Sequence, residues 1–177
     1  MATEILIVDY DPRWPEFYRR EAGRITGALG DLLTSVEHVG STSVPGLAAK
    51  PRIDIMPGLN EEADVDRAIE PMTALGFEYI QRFEDEMPFR RLFTRHEADQ
   101  VIACNVHIVA FGSEFWERHL LFRDYLRENP DVAAEYARLK RALAPRFTVT
   151  SDYAEAKTEF ITEIERRARA DRHAAGS

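Results

Sequence analysis

The stretch that most constrains the fold is residues 36–59, VEHVGSTSVPGLAAKPRIDIMPGL. A short apolar approach, Val36 and Val39, leads into a polar, glycine-bounded loop of Gly40, Ser41, Thr42 and Ser43, with Pro45 and Gly46 behind it. A small-residue turn with Lys50 follows, then a strand-like run, Arg52-Ile53-Asp54-Ile55-Met56. Side chains alternate faces along a strand. Ile53 and Ile55 therefore point into a core, and Asp54 and Met56 to the opposite side. Backbone N–H groups and hydroxyls in such a loop suit an anion. A carboxylate on the next strand suits a divalent cation shared with a phosphate. The simpler alternative is a plain turn followed by a strand with a solvated acid. The loop is not of the Gly-Lys-Ser/Thr phosphate-binding type, because Pro51 follows Lys50.

Around this centre the chain reads as alternating strands and helices, then helices alone. Residues 4–9 look like a first strand. Asp11-Pro12 opens a helix that Gly30 closes, with Asp11 as its N-cap. Residues 32–39 form a second strand ending near His38, which either meets a phosphate, orients the loop, or is a half-buried polar group. Pro57-Gly58 ends the Asp54 strand. Asn60 caps a helix over 61–75, and residues 77–80 form a strand. Glu84, Asp85 and Glu86 read as a solvated turn rather than a metal site. Residues 89–94 and 101–109 form an antiparallel pair joined by a polar, exposed 95–100 connection. On the second of these strands Cys104, Val106 and Ile108 share one face, and Asn105 and His107 the other. Arg90 and Arg91 point to opposite faces, so one of them alone can enter a shared cleft.

From Ser113 the pattern is helical. One helix runs through Leu126 to a break at Asn129-Pro130, and a second from Asp131 to Leu143. A third is capped by Ser151-Asp152 and runs through Ile164; the charged end frays. The implied division is a core over 1–112, a helical subdomain over 113–165 and a tail over 166–177. Tyr136 with Lys140, and Tyr153 with Lys157, sit four apart on a helix face. Each pair can present a phenol and an ammonium to one ligand, a triphosphate or a base. The alternative is a core tyrosine with a lysine snorkelling outward.

With 177 residues the chain fits one domain with an ample core. A formal net charge of −8 argues against general nucleic-acid binding, which rests on neutralising phosphates. One cysteine, Cys104, excludes an internal disulfide and points to a reducing cytoplasm. No stretch is long and apolar enough to suggest a membrane partner.

The run from His38 through Gly40-Ser41-Thr42-Ser43, Lys50-Pro51 and Asp54 resembles the signature of the GrpB family (UPF0157), within the nucleotidyltransferase-fold superfamily. Tyr10-Asp11-Pro12-Arg13-Trp14-Pro15, the Phe122-Arg123-Asp124-Tyr125-Leu126 segment and the two Tyr-x-x-x-Lys spacings resemble it too, so the likeness covers about residues 3–165. It implies an α/β (α+β) fold: a nucleotidyltransferase-like mixed β-sheet core with packed helices and a C-terminal helical subdomain. It also implies a Mg²⁺-dependent nucleotidyl transfer to a small-molecule or protein acceptor. Asp54 and His107 would hold the metal and the chemistry. His38, Gly40, Ser41, Thr42, Ser43, Lys50, Arg91, Arg123, Tyr136, Lys140 and Lys157 would hold a nucleotide or another phosphorylated small molecule. Met56 departs from the superfamily, standing where a second acid belongs. That keeps open a binding module without turnover, and an accessory or folding-assistance domain like those fused to dephospho-coenzyme A kinases.

Overall fold

A computed structural model describes residues 5–96 and 103–175. Helix α1 (Trp14–Leu29) buries Trp14, Ala22, Ile25 and Leu29 along one face. Strands β1 (Leu33–Val39), β2 (Arg52–Leu59), β3 (Glu78–Tyr79), β4 (Arg91–His96) and β5 (Ala103–Ala110) form one sheet in the order β1-β2-β5-β4-β3. The β2–β5 pair is parallel and the other pairs are antiparallel. The fold is therefore a mixed sheet with packed helices, as expected.

The two sheet faces are filled differently. Helix α1, a 3₁₀ stretch (Glu62–Ala68) and helix α2 (Ile69–Ala74) cover one face, where Ile53, Ile55, Phe93, Cys104, Val106 and Ile108 are buried. Each of the larger side chains there contributes roughly 1.5–3 kcal/mol through burial. Helix α3 (Glu114–Glu128) crosses the other face, started by Ser113, whose hydroxyl accepts the Trp116 N–H. Trp116 packs with Val39, Met56 and Val109. Its ring lies so close over Gly58 that an added Cβ there would come within 2.7 Å of it. Helices α4 (Pro130–Leu143), α5 (Thr150–Glu155) and α6 (Thr158–Ala175) follow. Tyr136 and Ala137 of α4 clamp the segment after the loop by packing on Val44, Leu47 and Ala48.

Several local expectations are corrected. Residues 5–9 do not join the sheet; Val8 makes a single bridge to Ala49, while Ile5 packs against Leu143 and Tyr153. Their alternation serves burial against helices. Asp11 binds the Arg13 N–H and guanidinium instead of capping α1, which begins at Trp14. Strand β2 runs on through Pro57-Gly58, because the missing side chain at Gly58 admits Trp116. Asn60 is no cap; its amide donates to the Asp31 carbonyl, and its oxygen accepts from Thr34. The third C-terminal helix is two helices broken at 156–157, with Ser151 inside the first. The 166–175 segment is helical rather than frayed. Ile164 and Ala168 are buried, Arg118 of α3 grips Glu165, and Glu163 pairs with Arg166 and Arg167. Most of the expected 95–100 connection lies outside the described residues.

Candidate functional site

Strand β1 ends at Gly40, whose φ of 70° turns the chain back over β2. The turn closes on itself: the Ser43 N–H and hydroxyl both donate to the Gly40 carbonyl, at 3.2 and 2.5 Å. Ser43 is thus spent on the turn, and its own carbonyl accepts from Arg127. His38 is also behind the loop. Register pairs it with Ile55, so its ring leaves on the α1 face, opposite Asp54. It stacks on Tyr18 at 4.6 Å and hydrogen-bonds the Thr42 hydroxyl at 3.0 Å. Burial pushes its pKa down to about 4, so it is neutral at pH 7. His38 and Ser43 shape the loop and do not line the cleft: for His38 the structure selects the loop-orienting, buried alternative over the phosphate contact, and for Ser43 it corrects the expected phosphate contact.

Asp54 lies beneath the turn, its side chain 26 % exposed. The β2–β5 register sets Asn105 beside it, and the Asn105 amide donates to Asp54 Oδ1 at 3.2 Å. His107 Nε2 approaches the same oxygen at 3.5 Å. On the far side of the imidazole, Arg90 Nη1 lies 3.4 Å from His107 Nδ1. A guanidinium can only donate, so Nδ1 accepts and Nε2 carries the proton toward Asp54. Both ring nitrogens are engaged, and His107 orients Asp54 rather than offering a lone pair to a metal. Burial raises the Asp54 carboxyl, but hydrogen bonds from His107 and Asn105 and the charge of Arg52 bring it, on balance, below its ordinary value. It is a carboxylate at pH 7, with Oδ2 directed under Gly40.

The opposite wall is cationic. Gly40, Ser41, Thr42, Lys50, Arg52, Asp54, Tyr136, Lys140, Tyr153 and Lys157 line one cleft of about 280 Å³. Lys140 is 2 % exposed. Its ammonium donates to Ser41 Oγ at 2.9 Å and to the Ala48 carbonyl, and lies over the Tyr136 ring. Burial, with Lys157, Arg141 and Lys50 nearby, pushes its pKa down to about 7. Burial and Lys50 bring Lys157 to about 8, and burial and Arg52 lower Lys50 too. Asp54 is the acid whose charge opposes this lowering at Lys50 and Lys157, so the cations of the cleft outnumber its acid and favour an anion.

Sequence reasoning missed Arg52, though it stands two residues before Asp54 and so shares its face. Its guanidinium donates to Asn105 Oδ1 at 3.1 Å, completing an Arg52–Asn105–Asp54 chain. Two expected residues face elsewhere. Register places Arg91 opposite the core residue Ile108; it leaves on that face to bind Asp66 and the Pro88 carbonyl, while Arg90 meets His107 and the Phe115 ring and does not line the cleft. Arg123 is consumed by Glu37, Asp124 and the His38 carbonyl, pinning α3 to β1.

A metal fits this donor set in one form only. Asp54 Oδ2 can contribute to a single divalent cation whose remaining ligands are phosphate oxygens and water. A second cation does not fit: Met56, where another acid would stand, is sealed among Val39, Val109 and Trp116. Among the described residues no group of three or more His, Cys, Asp or Glu is arranged to hold a metal.

Comparison with known proteins bears on the family and the fold. The GrpB protein family matches residues 4–167. A UPF0157 protein of Halalkalibacterium halodurans is 40% identical over 169 residues, covering 95% of this chain and 84% of that protein. A dephospho-CoA kinase of Mycolicibacterium paratuberculosis is 30% identical over 186 residues, covering 93% of this chain but 46% of the kinase. The crystal structure of GrpB from Enterococcus faecalis superimposes with a TM-score of 0.79 at 37% identity, covering 92% of this chain and 96% of that one. A cytoplasmic RNA terminal U-transferase shares the fold at a TM-score of 0.50 and 14% identity, over 79% of this chain and 44% of that one. The chain belongs to the GrpB family, built on a nucleotidyltransferase-like core.

Proposed function

We propose that the cleft binds the phosphate groups of a nucleotide or another phosphorylated small molecule. One observation carries this reading: Lys50, Arg52, Lys140 and Lys157 converge on a hollow floored by the Gly40–Thr42 turn, where Asp54 is the one acidic lining residue among those described. Charge-assisted hydrogen bonds from ammoniums to phosphate oxygens are about twice as strong as neutral ones. Ser41 offers a hydroxyl beside them, whereas the expected Thr42 hydroxyl is taken by His38 behind the loop. Asp54, held by Asn105 and His107, presents Oδ2 to a Mg²⁺ ion that arrives with the phosphates. When bound, that ion would neutralise phosphate charge. The protein's own contribution is to orient the phosphates and to keep Asp54 ionised. We place this activity in the cytoplasm, where nucleotides are abundant and the single buried thiol stays reduced.

Nucleotidyl transfer is the second reading. It is favoured by the contact of Gly40 with Asp54 in a fold shared with a terminal transferase. It is weakened by Met56, which leaves one acid where a two-cation site needs more. Calorimetric titration of the protein and of Asp54→Asn with nucleoside triphosphates, with and without Mg²⁺, tests both readings. The binding reading requires that the wild type binds. The metal role requires that Mg²⁺ strengthens binding in the wild type and has no effect in Asp54→Asn. Pyrophosphate released with an added acceptor would mark transfer. No binding by the wild type would favour an accessory role through protein contacts, as a segment of a larger enzyme.

A further inference from the structure

The aromatic rings of the cleft are already covered. Tyr136 stacks on Phe160 at 5.1 Å and 7°, meets the edge of Phe122 at 5.4 Å, and carries the Lys140 ammonium over its ring at 4.6 Å. Tyr153 is 1 % exposed and has Lys157 and Lys50 over its ring at 4.3 and 5.2 Å. Neither ring offers an open face to a base, so the gain from a stacked base is not available. Hydrogen-bond reading fares no better. The side-chain amide in the lining is that of Asn105, with its oxygen taken by Arg52 and its nitrogen given to Asp54. What remains open is charge and hydroxyl. The cleft, about 280 Å³, is also at the small end for ligand pockets, which run from roughly 300 Å³ upward.

A second observation points to the same ligand. The Tyr153 hydroxyl is buried with no hydrogen-bond partner among the described residues. Burial pushes its pKa up to about 12, so it stays a donor throughout the neutral range. A buried phenol left without an acceptor is destabilising, because its desolvation is not offset by a hydrogen bond. A phosphate oxygen reaching that hydroxyl would supply the acceptor.

We infer that the cleft recognises a short polyphosphate chain and does not distinguish among nucleobases, so that inorganic tripolyphosphate is as good a ligand as any nucleoside triphosphate. The base and sugar of a nucleotide then lie outside the cleft mouth. This rests on the phosphate-binding reading and narrows it.

The test is calorimetric titration of the full chain at pH 7 with tripolyphosphate, ATP, GTP, CTP and UTP, each with and without Mg²⁺. The expected dissociation constants agree to within about threefold across all five ligands. Tyr153→Phe should weaken all five by a common factor of about ten or more, the loss of one hydrogen bond to a charged group. A preference of about tenfold or more for one nucleotide, or nucleotide binding without tripolyphosphate binding, overturns the inference and leaves phosphate binding standing. Failure of every ligand overturns both.

Discussion

Gly40 and Asp54 are packed so tightly that a methyl group on Gly40 would lie 2.6 Å from Asp54 Oδ2. Register explains the contact. Val39 is paired with Asp54, so the next residue leaving β1 passes directly over the carboxylate. At φ 70° and ψ −176°, Gly40 also occupies a region that is essentially glycine-only. Gly40→Ala therefore meets backbone strain and a displaced Asp54 at once. The expected loss is about 1–3 kcal/mol of stability by urea unfolding, with ATP affinity down about tenfold or more by calorimetry. Unchanged affinity in a folded variant would break the link between turn and acid.

Ligand binding should weaken as pH rises. Lys140 titrates at about 7 and Lys157 at about 8, so both ammoniums are present at pH 6 and both are lost by pH 9. A hydrogen bond to a charged group is worth about 1.5–3 kcal/mol, so affinity for ATP should drop about tenfold or more per lysine over that range. A bound phosphate also pulls the lysine pKa values up. Binding at pH 8 should therefore take up protons, seen as a binding heat that changes with the ionisation enthalpy of the buffer.

Acid should loosen the fold through His38. Its folded pKa is depressed to about 4, below an unfolded value near 6.5. Between those values the unfolded chain binds a proton that the folded chain refuses, so stability falls as pH drops from 6.5 to 4. The contribution is up to about 3 kcal/mol. His119, also held down to about 4 by burial and by His107, acts in the same direction. His38→Gln, which keeps a partner for Thr42, should flatten the urea midpoint over this pH window.

Much of the fold was legible because strand alternation is a strict period of two. It separated Ile53 and Ile55 from Asp54 and Met56, and Cys104 and Val106 from Asn105 and His107. The face of Asp54 was readable for the same reason, and the Gly40-Ser41 turn from its glycines, its hydroxyls and the family likeness. What was not legible depends on neighbours distant in sequence. Arg91 turns to the core side because β4 pairs it with Ile108 of β5, and Arg90 is taken up by His107. Arg123 looked like a cleft cation until Glu37, 86 residues away, claimed it. The i, i+4 spacing brings Lys140 to the cleft with Tyr136, and Lys157 lines it as well although the helix breaks between Tyr153 and Lys157; spacing could not show that Phe122 and Phe160 occupy the Tyr136 ring. Residues 166–175 read as a tail because their helix is held by Arg118 of α3, a partner invisible to local composition.

Arg123→Met separates scaffold from site. The guanidinium joins Glu37, Asp124 and the His38 carbonyl, and its loss strips the carbonyl of a donor. Both carboxylates are about one-third exposed, so solvent softens the penalty. The expected cost is about 2 kcal/mol by urea unfolding, with ATP affinity of the folded fraction unchanged within about twofold.

The most direct measurement is calorimetric titration of ATP, at pH 7, into the wild type and into the Lys140→Met, Lys157→Met double variant. The wild type should bind, and the double variant at least about 100-fold more weakly, since each ammonium contributes at least one charge-assisted contact. A wild type that binds nothing, or a double variant that binds as tightly as the wild type, would contradict a phosphate site in this cleft.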